Sequence, residues 1–188
     1  MEMDFLEIHD QFYGRVKKFI LASVRDESVA DDLVQDTFIR IQENLETVRD
    51  PAKVSSWIFR IAHNLCQDHF RTRKKSSSHE EIHDGLVNLQ ETPLQKKVEQ
   101  GEMSQCVQDQ LNLLPESLRS VLIFADVMEF SHQEIAKILG LSVENAKVRL
   151  HRARKKFKEI LEEKCTFEVD ERNVLVCEPV EEKKREKP

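Results

Sequence analysis

Between Val143 and Lys158 the chain carries seven lysines and arginines (Lys147, Arg149, Arg152, Arg154, Lys155, Lys156 and Lys158) against one acid, Glu144. Ammonium and guanidinium groups at that density suit the phosphate oxygens of a polyanion. A helix that only meets solvent mixes its charge signs. The formal net charge of the whole chain is −6, so the local excess runs against the overall composition. The competing reading is a basic amphipathic helix that merely packs or that binds acidic protein.

Local signals say how these side chains are positioned. Ser131 and Glu134 have the spacing of a capping box, and Ile135, Ala136, Ile138 and Leu139 give a short first helix its apolar face. Gly140 stands where the chain must turn with positive φ. Leu141 plugs the turn, and Ser142 is the next N-cap. In the helix that follows, Ala146, Leu150, Ala153, Phe157 and Ile160 fall on one buried stripe. Glu144, Val148, His151, Arg152 and Lys155 lie opposite. The order is that of a helix-turn-helix, whose second helix begins in the major groove and whose later basic residues meet phosphate.

A second basic stretch runs from Arg60 to Lys75, while Asp26–Asp50 and the tail after Lys158 are acidic. Two separated basic patches suggest two contacts with nucleic acid. Metal chemistry is a weaker reading of the same region. His63, Cys66 and His69 recur at i, i+3 and i+6, and a helical step of about 100° spreads them too far around the axis to converge on one ion. With no nucleophile–base pair and no phosphate-binding glycine loop, the sequence predicts neither an enzyme nor a cofactor.

At 188 residues, with 39% hydrophobic and 34% charged residues but four glycines and five prolines, the chain predicts an all-α protein of short, well-capped helices. No run approaches the roughly 20 apolar residues that span a bilayer, so membrane insertion is not expected. The acidic start MEMDFLEIHD does not read as a signal peptide. Four widely spaced cysteines predict a reducing, cytoplasmic setting.

The periodicity predicts a helix over 9–24, with Phe12, Val16, Phe19, Ile20 and Val24 on one face. Ser28 is the expected cap of a second helix through Leu33, Phe38, Ile41 and Leu45. A break follows at Asp50-Pro51, then a helix over about 56–73 with Trp57, Ile58, Ile61, Leu65 and Phe70 in the core. Residues 74–100 change character, with a Ser run, acids and weak periodicity, and read as a flexible linker. A helix resumes near Glu102, with Val107, Leu111 and Leu114 leading to Pro115. Leu118, Val121, Leu122, Ala125 and Met128 form the next stripe. The expected division is 1–75 as a first helical domain, 76–100 as linker, 101–161 as a second, helix-turn-helix domain and 162–188 as a tail.

Three segments, VADDLVQDTFIR (29–40), VSSWIFRIAHNLCQD (54–68) and LSVENAKVRLHRARKKFKEIL (141–161), closely resemble the extracytoplasmic-function (ECF) sigma factors. These are bacterial RNA polymerase subunits that recognise promoters, and the resemblance covers about residues 5–161. It implies a sigma domain two, a flexible linker threading the polymerase cleft and a sigma domain four. Docking on the β′ clamp helices of core RNA polymerase would fall to Asp32, Leu33, Gln35, Asp36, Phe38 and Arg40. The family more often has Glu at the place of Asp36, a shorter reach with the same charge.

The −10 element, with one base flipped out of the stack, would be held by Lys53, Val54, Ser55 and Ser56 together with Arg60, His63 and Asn64. Arg71, Arg73, Lys74 and Lys75 would bind phosphate. The family usually has another residue at the place of His63. The −35 element would be read as duplex by Ser142, Glu144, Asn145, Lys147, Val148, Arg149, Arg152 and Lys155. The resemblance further implies contact of domain four with the β flap and control by an anti-sigma factor. A stand-alone helix-turn-helix transcriptional regulator is the alternative from another class.

The tail, 162–188, reads as a β-hairpin of two short arms about a polar turn. Pairing about Glu171 would set Cys165 nearly opposite Cys177, within reach of a disulfide or shared metal. Three readings of the pair stand together: incidental cysteines, a redox or metal sensor lacking further ligands, and an anti-sigma contact. The last residues, EEKKREKP, read as a charged, disordered end.

Overall fold

The computed structural model describes residues 4–76, 110–169 and 175–179, with side chains through Arg73 and over 110–164. The expected linker beyond Ser76, the helix resuming near Glu102, the hairpin turn and the charged end lie outside the described residues. So do the side chains of Lys74, Lys75, Cys165 and Cys177.

Helix α1 spans Phe5–Val24 and begins earlier than the apolar period suggests, because the Asp4 side chain accepts from the Leu6 amide and caps it. Helix α2 spans Glu27–Asn44. Its cap is Asp26, whose carboxylate accepts from the Val29 amide at 3.0 Å, and not Ser28, which lies inside the first turn. Asp50 then caps a single 3₁₀ turn over Pro51–Lys53, with Oδ1 accepting from the Ala52 amide at 3.1 Å. That turn runs directly into α3, Val54–Ser76. Phe12, Val16, Phe19, Ile20, Leu33, Phe38, Ile41, Ile58 and Leu65 are buried in the resulting three-helix bundle, with Trp57 partly buried against them.

The second helical unit begins, among the described residues, with Leu111 and Leu114 buried ahead of Pro115. Helix α4, Glu116–Leu122, passes into a π-helical turn over Ile123–Val127. A π turn admits one residue more than an α turn. It therefore adds Ile123 and Phe124, 1% and 0% exposed, to the expected stripe, of which Val121, Leu122 and Met128 are buried and Leu118 and Ala125 partly buried. Helix α5 spans His132–Leu139 and α6 spans Val143–Lys164. The two units share one continuous apolar core. Phe19 and Phe59 of the bundle meet Phe124 and Phe130 of the second unit in a cluster of stacked and edge-to-face rings.

After α6 the backbone forms an antiparallel pair, β1 (Cys165–Val169) and β2 (Leu175–Pro179). The hairpin is as expected; its register is not. Cys165 pairs with Pro179 and Phe167 with Cys177, so the two cysteines stand two positions out of register. Diagonal neighbours lie about 7–8 Å apart, beyond the usual span between disulfide-linked Cα atoms. The connecting turn sets register in a hairpin, and the sequence did not reveal where this one turns.

Candidate nucleic-acid interface

The helix-turn-helix forms as its residues dictate. The Ser131 hydroxyl accepts from the Glu134 amide at 3.3 Å, and the Glu134 carboxylate accepts from the Ser131 amide at 2.9 Å and its hydroxyl at 2.6 Å. These bonds hold the Glu134 carboxyl below its usual range. Gly140 adopts φ 65°, and the amides of Gly140 and Leu141 both return to the Ala136 carbonyl. Ser142 then caps α6, its hydroxyl accepting from the Asn145 amide at 3.2 Å.

Ala146, Leu150, Ala153 and Ile160 of α6 are buried, with Phe157 partly so. Of the expected groove-reading residues, Ser142, Glu144, Asn145, Lys147, Val148, Arg152 and Lys155 are exposed and Arg149 is half-buried. Val148 is an apolar side chain held 47% exposed, which suits contact with a thymine methyl group. Two neighbours are pre-ordered. Asn145 Oδ1 accepts from Arg149 Nε at 3.2 Å, and Glu144 pairs with Lys147 at 3.1 Å.

Further along, the basic residues divide. Arg154 grips Asp126 of the π turn through two bonds of 2.5 and 3.2 Å, and it braces α6 rather than offering its charge to a ligand. Lys156 and Lys158 pair with Glu159 and Glu162. Charge counting along the sequence could not separate Arg154 from Arg152 and Lys155, because Asp126 becomes a neighbour only through the fold.

In the bundle, Asp32, Gln35, Asp36 and Arg40 line the exposed side of α2, while Leu33 and Phe38 are buried beneath. Beside them lies an open groove of about 500 Å³ between α1 and α2. Its wall includes Phe5, His9, Tyr13, Gln35, Phe38 and Ile39. The His9 ring sits 4.8 Å from Phe38 and 5.1 Å from Tyr13. The Lys17–Asp31 ion pair at 2.7 Å lines the same groove. The α1 residues of this wall were missed by reading α2 alone. The exposed aromatic Tyr13 one turn after His9 was their signal.

The expected −10 residues fall into two groups. Lys53, Asn64, Arg71 and Arg73 are exposed, Lys53 in an ion pair with Asp50 at 3.2 Å and Arg71 with Asp68 at 2.9 Å. The Lys53 ammonium also helps hold the Asp50 carboxyl below its usual range. Ser55 is half-buried. Ser56 is buried and donates its hydroxyl to the Lys53 carbonyl at 3.1 Å, which tightens the start of α3. The other group is turned toward the second helical unit. Arg60 donates to the Lys137 carbonyl of α5, and the His63 ring packs edge-on against Phe124 at 5.9 Å. Burial pushes the His63 imidazole down to about 4, so it is neutral at physiological pH.

Cys66 is buried in the same helix, where desolvation pushes its thiol up to about 12. His69 instead packs on Phe70. Among the described residues no group of three His, Cys, Asp or Glu side chains is placed to hold a metal ion. Nor, among them, is any helix long and apolar enough to cross a membrane.

Comparison with known proteins agrees with this geometry. The family model described as Sigma-70 region 2 matches residues 8–76, and that described as Sigma-70, region 4 matches residues 104–157. The chain is 34% identical to the RNA polymerase sigma factor SigZ of Bacillus subtilis, over 89% of this chain and 93% of that protein. It is 30% identical to the ECF RNA polymerase sigma factor SigM of the same organism, over 81% and 91%. Among solved structures, the fold is similar to the sigma factor RpoE in complex with the anti-sigma factor NepR from Bartonella quintana. There the TM-score is 0.68 at 23% identity, covering 85% of this chain and 97% of that one. It is also similar to CnrH in complex with the cytosolic domain of CnrY, with TM-score 0.63 at 24% identity, covering 85% and 88%.

Proposed function

The chain belongs to the sigma-70 family, in its ECF subgroup, and from that membership we propose how its surfaces divide the work of starting transcription. It is a sigma factor: it binds core RNA polymerase, recognises promoter DNA and promotes initiation. Residues 1–75 act as domain two, 76–100 as linker and 101–161 as domain four, with 162–188 as an appended tail. As an initiation factor it lends specificity to the polymerase's own chemistry. Its work lies with the chromosome, in the cytoplasm.

The polar side of α2, with Asp32, Gln35, Asp36 and Arg40 over Leu33 and Phe38, docks on the β′ clamp helices. The adjoining aromatic groove supplies apolar area that six residues of α2 would lack. Lys53, Ser55, Ser56, Arg60, His63 and Asn64 face the unpaired −10 strand, with Arg71, Arg73 and Lys74 on its phosphates. Domain four meets the β flap and reads the −35 duplex through Ser142, Glu144, Asn145, Lys147, Val148, Arg149, Arg152 and Lys155. An anti-sigma factor is inferred as a further partner, since RpoE was solved in complex with the anti-sigma factor NepR.

The observation that carries the reading is the pairing of two surfaces on one chain: a polar α2 beside an apolar groove, and a separate helix-turn-helix with Val148 and Arg152 exposed. A stand-alone regulator needs the second but not the first. In vitro transcription from a genomic fragment library, with core polymerase and with or without this protein, tests it. New transcripts sharing a bipartite upstream motif are expected when the protein is added. Tight duplex binding by the protein alone, with no new transcripts, would instead favour the regulator.

A further inference from the structure

Two cysteines stand near one another on the tail hairpin, outside every surface used above. β1 (Cys165–Val169) and β2 (Leu175–Pro179) pair antiparallel, with Cys165 opposite Pro179, Phe167 opposite Cys177 and Val169 opposite Leu175. Directly opposed residues share a face of a ladder, and so do residues two apart along a strand. Cys165, Phe167, Val169, Leu175, Cys177 and Pro179 therefore occupy one face, and Thr166, Glu168, Val176 and Glu178 the other. The first face is apolar apart from its two thiols.

On that face the cysteines are diagonal neighbours, with Cα atoms about 7–8 Å apart. A disulfide joins its sulfurs at about 2.05 Å and spans Cα separations of about 4.4–6.8 Å. A shared zinc ion spans more. Two Zn–S bonds of about 2.3 Å at the tetrahedral angle hold their sulfurs about 3.8 Å apart. The reach between Cα atoms grows by up to about 1.7 Å, to roughly 8.5 Å, and takes in the diagonal. The register that refuses a disulfide thus suits a metal ion.

A closed zinc site takes four ligands, and the tail offers two thiols. Residues 162–188 contain no histidine and no further cysteine. Glu168 and Glu178 belong to the opposite face, and Cys66 is buried in the first bundle. The hairpin lacks cover as well as ligands, because two strands alone are marginally stable and an apolar face needs something packed on it. A second copy of the hairpin about a two-fold axis supplies both at once, since such a contact sets the same face against itself. We propose that Cys165 and Cys177 of two chains together bind one zinc ion and join the chains through their tails. Four thiols give up four protons to form a tetrathiolate of charge −2 around Zn²⁺, so binding weakens as pH falls. β1 starts at Cys165, directly after α6 ends at Lys164, so the joint is attached to the end of the recognition helix.

The test uses the full-length protein, reduced and stripped of metal with EDTA. Zinc is titrated against a chromophoric chelator, and the mass is followed by light scattering on a size-exclusion column. Zinc is expected to bind at one ion per two chains and to double the mass, and EDTA should return the monomer. Cobalt(II) in place of zinc should give the intense visible bands of a tetrahedral thiolate site. Cys165→Ser and Cys177→Ser should each abolish the doubling with helical circular dichroism unchanged. Cys106→Ser should leave stoichiometry and mass as in the wild type.

Zinc uptake no greater than that of the Cys165→Ser, Cys177→Ser double variant overturns the site. One ion per chain on a monomer overturns it equally, because two ligands would then suffice. A requirement for Cys106 would place the ligands elsewhere and has the same force. A dimer that survives EDTA removes the metal from the joint.

Discussion

Phe19 and Phe124 stack with ring centroids 4.5 Å apart and planes inclined by 12°, one from the first helix and the other from the π turn ahead of the helix-turn-helix. Both are almost fully buried. The stack makes the cores of the two helical units continuous, so the units should unfold together. Phe124→Ala is expected to cost about 3–5 kcal/mol, the usual range for emptying a buried aromatic site. Denaturant unfolding followed by circular dichroism should show one transition at a lower midpoint. Two separated transitions in the wild type would mean that the cores are independent.

His63 gives stability a pH dependence of known sign. Its imidazole ordinarily titrates near 6.5 and is pushed down to about 4 by burial. Between those values the unfolded chain holds the proton and the folded chain does not. The contribution is complete above about pH 6.5 and is lost as pH falls toward 4. It amounts to at most about 3 kcal/mol. The carboxyl groups of Glu134 and Asp50, held low by their hydrogen bonds, lose their share below the ordinary carboxylate range. Subtracting the stability–pH curve of His63→Gln isolates the histidine. Parallel curves for the two proteins between pH 6.5 and 4 would show that burial of this ring has no protonation cost.

The Cys66 thiol should be inert in the folded protein. Burial pushes it up to about 12, so at neutral pH almost none is thiolate, the reactive form. Iodoacetamide labelling followed by peptide mapping should find Cys66 modified after denaturant is added and not before. Fast labelling under native conditions would contradict its burial.

The helix-turn-helix depends on two local devices. Ser131→Ala removes the capping box and should cost about 1 kcal/mol. Gly140→Ala meets nothing within 4 Å of the added Cβ, so any cost comes from φ 65° alone and is about 1–2 kcal/mol. Thermal unfolding measures both. A neutral Gly140→Ala would mean that the turn relaxes out of the left-handed region.

Arg152 and Arg154 differ by two positions and should differ in kind. Arg152 is exposed and should contribute directly to −35 binding. Arg152→Ala is expected to cost about 1–3 kcal/mol of duplex affinity if it reads a base, or to lower the salt slope by about one if it binds phosphate. Arg154 is held by Asp126. Arg154→Ala should cost less in affinity, with a stability loss of up to about 1 kcal/mol, as for a largely exposed pair. A larger affinity loss for Arg154→Ala, measured by fluorescence anisotropy across a salt series, would reverse the assignment.

The sequence by itself determined what is local. A capping box, a glycine turn and an apolar stripe are satisfied by residues within a few positions of one another. Ser131, Gly140, Ser142 and the Ala146–Ile160 stripe therefore stand as read. Signals with near-equal alternatives were less secure. Asp26 and Ser28 can each cap a helix, and the residues around them decide between the two. The hairpin arms were legible but their register was not, since one residue more or less in the turn changes every pairing.

Tertiary structure alone decided which groups meet across long separations. A one-residue bulge in a helix leaves little trace in hydrophobic period, so the π turn that aims Phe124 at Phe19 was hidden. The pairing of Arg154 with Asp126 was hidden for the same reason. Arg60 and His63 were legible as polar residues on a basic helix. That Arg60 reaches the Lys137 carbonyl and His63 packs on Phe124 depends on how two units pack, and packing energy is summed over contacts that no single segment contains.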